Sequence, residues 1–298
     1  MRKASAYPKG LFTALPTPFK ANGSVDAKSL SFQIARQKKA RVEAVVLWSD
    51  AREEIELTFE EKKAVLEIAL EACGKNLPLV VGTGRSSTLE TIDKIAVYQN
   101  MGAAAALVST PDHPLISQEG AYRHFSTIAR ATQCPMIVRN IPEKTGQELR
   151  VKTLFALGSI PEVLGIQEAP HSYVHLKERI LQKMVSIFAD HDTWIYSYIL
   201  GGGVGAVSVA ANLFPGEVAR LIRAGFLDDR RGAKDAHDRL FPLFKALALA
   251  SSSTIIQASM RYFSLPTGNY RPTAPRLAGA QLRFLHKQLK KMEAFWEG

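Results

Sequence analysis

The chain is short of cysteine and of long apolar runs. Cys73 and Cys134 are the only cysteines among 298 residues, too few to staple a chain of this size. Both lie in apolar helix or strand patterns, so they are read as buried free thiols. No segment approaches the roughly 20 apolar residues that cross a bilayer. Residues 1–8 carry Arg2 and Lys3 with no following apolar stretch of the kind a signal peptide needs. A disulfide scaffold and a spanning helix are excluded on this reading, and a cytoplasmic protein is expected. Low-complexity linkers are missing too, as is any internal repeat beyond a short strand-plus-helix unit.

Charge has one sign in excess but no concentration. The formal net charge of +10 favours anionic partners. Its Lys and Arg residues are nevertheless scattered, with only short clusters such as Lys38-Lys39, Arg230-Arg231 and Lys290-Lys291, and no aromatic residues interleave them. Solvated helix faces account for the pattern, and no nucleic-acid partner is expected. The segment 278–296 mixes Leu282, Phe284, Leu285 and Leu289 with Lys287, Lys290 and Lys291. A membrane-surface helix has this composition, but so does any amphipathic helix docked on a globular body, and the second reading is preferred. No membrane partner is expected.

What is present is alternation. Apolar or β-branched runs recur at residues 11–15, 44–48, 79–81, 105–108, 136–138, 163–166, 185–188 and 206–209, each followed by a helix-compatible segment. Strands apolar on both faces suit a parallel sheet covered by helices, and eight right-handed βα units close into a (β/α)8 TIM barrel. Thr58 with Glu61 and Ser87 with Glu90 have capping-box spacing, and Asp26 is an N-cap for a helix over 27–39. Val65, Ile68, Ala69 and Ala72 recur at helical period and mark a core face. After Val209 the alternation stops. The reading is an α/β fold in two parts, a barrel over residues 1–225 and a C-terminal helical extension over 226–298.

Barrel chemistry belongs at the C-terminal ends of the strands. The residues to weigh there are Ser49, Asp50, Arg52 and Glu53 after strand two, and Asp112 and His113 after strand four. Strand five contributes Arg139, Asn140 and Lys144, strand six Gln167 and Glu168, strand seven Asp190, His191 and Asp192, and strand eight Ser208.

Seven segments in order carry a resemblance: Ala14-Leu15-Pro16-Thr17-Pro18-Phe19, Val81-Gly82-Thr83-Gly84, Ser117-Gln118-Glu119-Gly120, Asn140-Ile141-Pro142, Lys144-Thr145-Gly146, Gly165-Ile166-Gln167-Glu168 and residues 203–212. Together they resemble the dihydrodipicolinate synthase and N-acetylneuraminate lyase family. The resemblance implies a barrel with a C-terminal helical extension, assembled as a homo-oligomer, dimer or tetramer. It also implies class I aldolase chemistry, in which a strand-six lysine condenses with a 2-keto acid. The matching residue here is Gln167, whose amide nitrogen lacks the nucleophilic lone pair of an amine. The family's strand-five tyrosine falls on Arg139 and its second tyrosine on His113. Its Gly-Thr-Thr-Gly-Glu loop falls on residues 49–53, where only Glu53 survives. Lys144 matches an arginine that meets a substrate carboxylate.

These replacements lead to an expected function: a family member inactive as a pyruvate-dependent Schiff-base lyase, binding a small anionic carboxylate or phosphate without a cofactor. The expected ligand set is Asp50, Arg52, Glu53, Arg139, Lys144, Gln167, Glu168 and Ser208. An internal salt-bridge network is the competing reading of the same charges. The alternative is a lyase, hydratase or isomerase working on a keto or sugar acid without a Schiff base, with His113 as base and Arg139 holding the anion. Lys144 as a substitute amine is disfavoured, because a lysine near carboxylates stays protonated. Asp190, His191, Asp192 and His113 invite a metal, but neighbours on an extended segment point in opposite directions, so His191 is not expected to join Asp190 and no metal is assigned.

Overall fold

Eight parallel strands close into a barrel in strict sequence order, β1 pairing with both β2 and β8, in the computed structural model of the chain. The structure describes residues 9–49, 56–84, 87–111, 116–169, 185–269, 271 and 276–296. The strands are β1 (Gly10–Leu15), β2 (Ala44–Leu47), β3 (Leu79–Gly82), β4 (Ala105–Ser109), β5 (Met136–Asn140), β6 (Val163–Glu168), β7 (Ile187–Ala189) and β8 (Gly205–Ser208). Each falls within two residues of an expected run, because the runs mark strands buried on both sides.

The helices between them are α1 (Ala27–Ala40), α2 (Phe59–Cys73), α3 (Thr88–Met101), α4 (Gln118–Thr132), the single turn α5 (Pro142–Thr145), α6 (Val151–Gly158) and α7 (Ile195–Leu200). After β8 come α8 (Pro215–Phe226), α9 (Arg230–Leu247), α10 (Ser252–Tyr262) and α11 (Gly279–Lys290). The caps are those the sequence predicts. Thr58 and Glu61 form a reciprocal capping box, Ser87 accepts from the Glu90 amide, and Asp26 accepts from the Ser29 amide. Each cap satisfies a donor that the helix leaves orphaned, worth about 1 kcal/mol. On α2, Val65 and Ala69 are fully buried, while Ile68 and Ala72 pack half-buried against the same core.

Two hydrophobic cores follow from the period of two along the strands. Outward residues such as Leu11, Val45, Val81 and Ile166 join the helices in a large outer core. Phe12, Ala14, Val46, Val80, Leu107, Ile137, Phe188 and Val207 fill the barrel interior. Gly165 is what makes room for Phe188: a Cβ there would lie 2.8 Å from the Phe188 ring and 2.7 Å from the Ser186 carbonyl. The Phe188 ring in turn lies 5.1 Å from that of Phe12.

Cys73 and Cys134 are unpaired and buried, as expected, and burial pushes both thiols up to about 11. The terminal segment docks on the body: α11 buries Leu285, Gln288 and Leu289 and packs against α9 and α10. No single helix among the described residues is long and apolar enough to cross a membrane.

Candidate active site

A cavity of about 300 Å³ opens at the C-terminal ends of the strands. Its polar lining includes Ser49, Arg139, Gln167, Asp190, His191 and Asp192, and the terminal helices add apolar wall through Phe244, Leu247 and Ile256. Strand alternation places the charged set. Arg139 lies two residues beyond the interior Ile137, and Asp190 two beyond the interior Phe188, so both continue the inward rows to the mouth. Gln167 stands beside Arg139 in the β5–β6 register and beside Phe188 in the β6–β7 register.

These three side chains form one chain of contacts. Gln167 donates from Nε2 to Oδ1 of Asp190 at 2.5 Å, and Nη2 of Arg139 reaches the same oxygen at 3.4 Å. Nη1 of Arg139 donates to the Ser49 carbonyl at 2.5 Å. That carbonyl follows Trp48, which holds a left-handed backbone, φ 55°, and whose own carbonyl occupies the space a Cβ at Gly82 would need. The Arg139 and Asp190 side chains are only 7% and 5% exposed, so the pair is poorly screened by solvent. Nε of Arg139 and Oε1 of Gln167 are buried and find no hydrogen-bond partner among the described residues.

Asp192 turns the other way. It accepts from the hydroxyl of Ser208 and from the amides of Val209 and Ala210 at 3.2 and 3.3 Å. Burial raises its carboxyl to about 6, against the opposing pull of these hydrogen bonds. Ser208 also accepts from the Ala211 amide and is fully buried, so it braces the start of the β8 loop and does not line the cavity. Glu168 is likewise 1% exposed and outside the lining, accepting from Nδ2 of Asn140 at 3.0 Å.

Of the expected ligand set, then, the structure brings Arg139 and Gln167 into the cavity and sets Glu168 and Ser208 behind it. Asp50, Arg52, Glu53 and His113 lie outside the described residues, as does the Lys144 side chain.

The expectation that His191 stays apart from Asp190 is corrected. Nε2 of His191 lies 3.9 Å from Oδ2 of Asp190 and 3.0 Å from Oε1 of Glu143. The strand ends at Ala189, and the chain bends at Asp190 before the short helical turn from Asp192 to Trp194, so strict alternation no longer applies. Asp190 as the hub of the cavity, and Glu143 beside His191, were not singled out from the sequence. Period-two counting from Phe188 points to Asp190. Nothing local points to Glu143, which meets His191 because β5 and β7 flank β6 in the sheet.

Similarity to known proteins is chain-wide. The chain is 32% identical over 270 residues to a 4-hydroxy-tetrahydrodipicolinate synthase of Protochlamydia amoebophila, covering 89% of this chain and 90% of that one. It is 32% identical over 289 residues to the Nitratiruptor protein of the same name, covering 96% and 98%. A solved structure, the chloride inhibited dihydrodipicolinate synthase from Acinetobacter baumannii complexed with pyruvate, superposes with a TM-score of 0.90 at 28% identity over 96% of this chain and 99% of that one.

These likenesses overturn the expectation of a catalytically inactive barrel, since the relatives that match nearly end to end are named as synthases. The expectation equated the replacements at Gln167, Arg139, His113 and residues 49–53 with loss of catalysis, yet barrel chemistry is spread over several strand ends, and the altered set still leaves a formed, charged cavity. Residues 7–292 match the dihydrodipicolinate synthetase family, and the chain belongs to that family.

Proposed function

We propose that this chain is an enzyme of carbon–carbon bond chemistry next to the carbonyl of a small 2-keto acid, a pyruvate-like anion bound in the cavity at the barrel mouth. The observation that carries the reading is the buried Arg139 cation on the cavity wall, held between Asp190 and the Ser49 carbonyl. A guanidinium fixed by two partners is pre-aimed and needs little reorganisation when negative charge develops beside it. The first turn of α10 adds Ser252 and Ser253 to the same wall, so the positive end of a helix faces the ligand as well. The volume of about 300 Å³ suits a small acid and its acceptor.

In this reading the substrate carboxylate and carbonyl oxygen lie toward Arg139, which stabilises the enolate formed when the C3–H bond breaks and its proton passes to solvent water, to be replaced from solvent when the enolate is reprotonated. Gln167 bears no amine. It contributes by its amide, whose Nε2 holds the Asp190 carboxylate in place. The reading includes a cytoplasmic homo-oligomer, dimer or tetramer, supported by the family likeness and checked by light scattering.

The reaction is tested without knowing the acceptor. Pyruvate in D2O is followed by proton NMR for exchange of its methyl hydrogens. The wild-type protein is expected to accelerate exchange over buffer, and Arg139→Ala to lose about a hundredfold of that rate. Exchange at the buffer rate with wild-type protein overturns the proposal.

A further inference from the structure

We propose that Glu143, Asp190 and His191 form a site for one divalent transition-metal cation at the rim of the active-site cavity. Their ligand atoms lie within 4.8 Å of one another. The three come from two places in the chain, Glu143 from the turn after β5 and the other two from the bend after β7. With metal–ligand bonds of about 2.0–2.2 Å, tetrahedral ligands sit roughly 3.3 Å apart. The separations of 3.0 Å between His191 and Glu143 and 3.9 Å between His191 and Asp190 bracket that value. Side chains of His191 and Glu143 are 48% and 41% exposed and free to close the remaining distance.

Asp190 is built as a ligand in a way a surface carboxylate is not. Its Oδ1 is tied inward to Gln167 and Arg139, which fixes the plane of the carboxylate, and Oδ2 is the oxygen turned to His191. Hydrogen-bonded partners of this kind orient ligands in metal centres. A second observation concerns the residue that holds Asp190. Oε1 of Gln167, on the same cavity wall, is a buried acceptor with no partner among the described residues. A water or substrate hydroxyl held on the cation is the donor it lacks.

One imidazole and two carboxylates suit Zn2+, Mn2+ or Fe2+. The two carboxylates bring negative charge to the rim, which favours a cation there. Three protein ligands leave a coordination position open, as in catalytic sites. The cavity lies next to it through Asp190 and His191. In that place a cation would polarise the carbonyl of a bound 2-keto acid. That use rests on the proposed reaction; ion binding itself does not.

The test starts from protein stripped with chelator, titrated with Zn2+ by calorimetry and with Co2+ by visible absorption. One equivalent of Zn2+ and the d–d bands of Co2+ in a histidine and carboxylate field are expected. His191→Ala and Glu143→Gln, both at exposed positions, are each expected to weaken Zn2+ about tenfold or more with unchanged circular dichroism. Binding below one equivalent, or affinity unchanged in both variants, overturns the site. Pyruvate exchange is measured on the same stripped and reloaded samples. A protein that binds the ion through these residues yet exchanges nothing supports the site and refutes the proposed reaction.

Discussion

Asp190 holds Gln167 and Arg139 with the same carboxylate oxygen, at 2.5 and 3.4 Å. Strands β5 and β6 are thereby joined to the loop after β7 by a single atom at the cavity mouth. Asp190→Ala would remove the carboxylate that holds the guanidinium and accepts from the Gln167 amide among the described residues. Removing one partner of a buried ion pair costs about 3–5 kcal/mol. The urea midpoint of the variant should fall accordingly at unchanged slope, and a loss under about 1 kcal/mol would show that water already screens the pair.

Gln167→Glu is expected to behave as a pH-dependent lesion. It sets a second carboxylate against Oδ1 of Asp190, and two carboxylates in contact share a proton because both cannot ionise cheaply. Arg139 offsets one negative charge, not two. The variant should be less stable than wild type at pH 7.5 and recover much of the difference at pH 5, read from paired thermal melts. A deficit independent of pH would refute this account.

Asp192 and His124 oppose each other as pH falls. The folded value of Asp192 is raised to about 6, so the stability it lends is present below its ordinary 3.8 and lost as pH rises through 6. Burial lowers His124 to about 4, while its hydrogen bonding pulls the other way. The unfolded chain therefore gains a proton that the folded chain declines, and stability present above 6.5 is lost as pH falls to 4. Asp192→Asn removes only the first effect. Its stability should fall more steeply than that of wild type between pH 6.5 and 4, by about 3 kcal/mol across that window. Parallel curves would mean that Asp192 titrates normally.

Gly165→Ala should damage the site from below. The added methyl meets the Ser186 carbonyl and the Phe188 ring at 2.7 and 2.8 Å, and neither can yield without moving β7. Overpacking of this kind costs about 1–3 kcal/mol. Because Phe188 lies beside Gln167 and two residues before Asp190, pyruvate exchange should fall together with the melting temperature.

The sequence was most readable where one local rule dominates. Doubly buried strands show as apolar runs, and caps such as Thr58 with Glu61 act within four residues, so barrel order and helix starts were visible. Arg139 and Gln167 were found because strand ends are where barrels keep their chemistry. The role of Asp190 was missed because its partners come from two other strands. Glu168 and Ser208 were placed in the site by proximity in sequence, yet each sits on the far side of its strand end, held by Asn140 and by Asp192. Glu143 and His191, 48 residues apart, meet because the strands they follow, β5 and β7, both flank β6.

The wall that Phe244, Leu247 and Ile256 give the cavity has a consequence for how this protein can diverge. Among the described residues, charge at the mouth comes from β5, β6 and the loop after β7, while α9 and α10, more than fifty residues later, supply apolar wall. Substrate length and substrate charge can therefore be altered by separate sets of substitutions. A library confined to the terminal helices should yield variants that accept longer acids while still requiring a carboxylate.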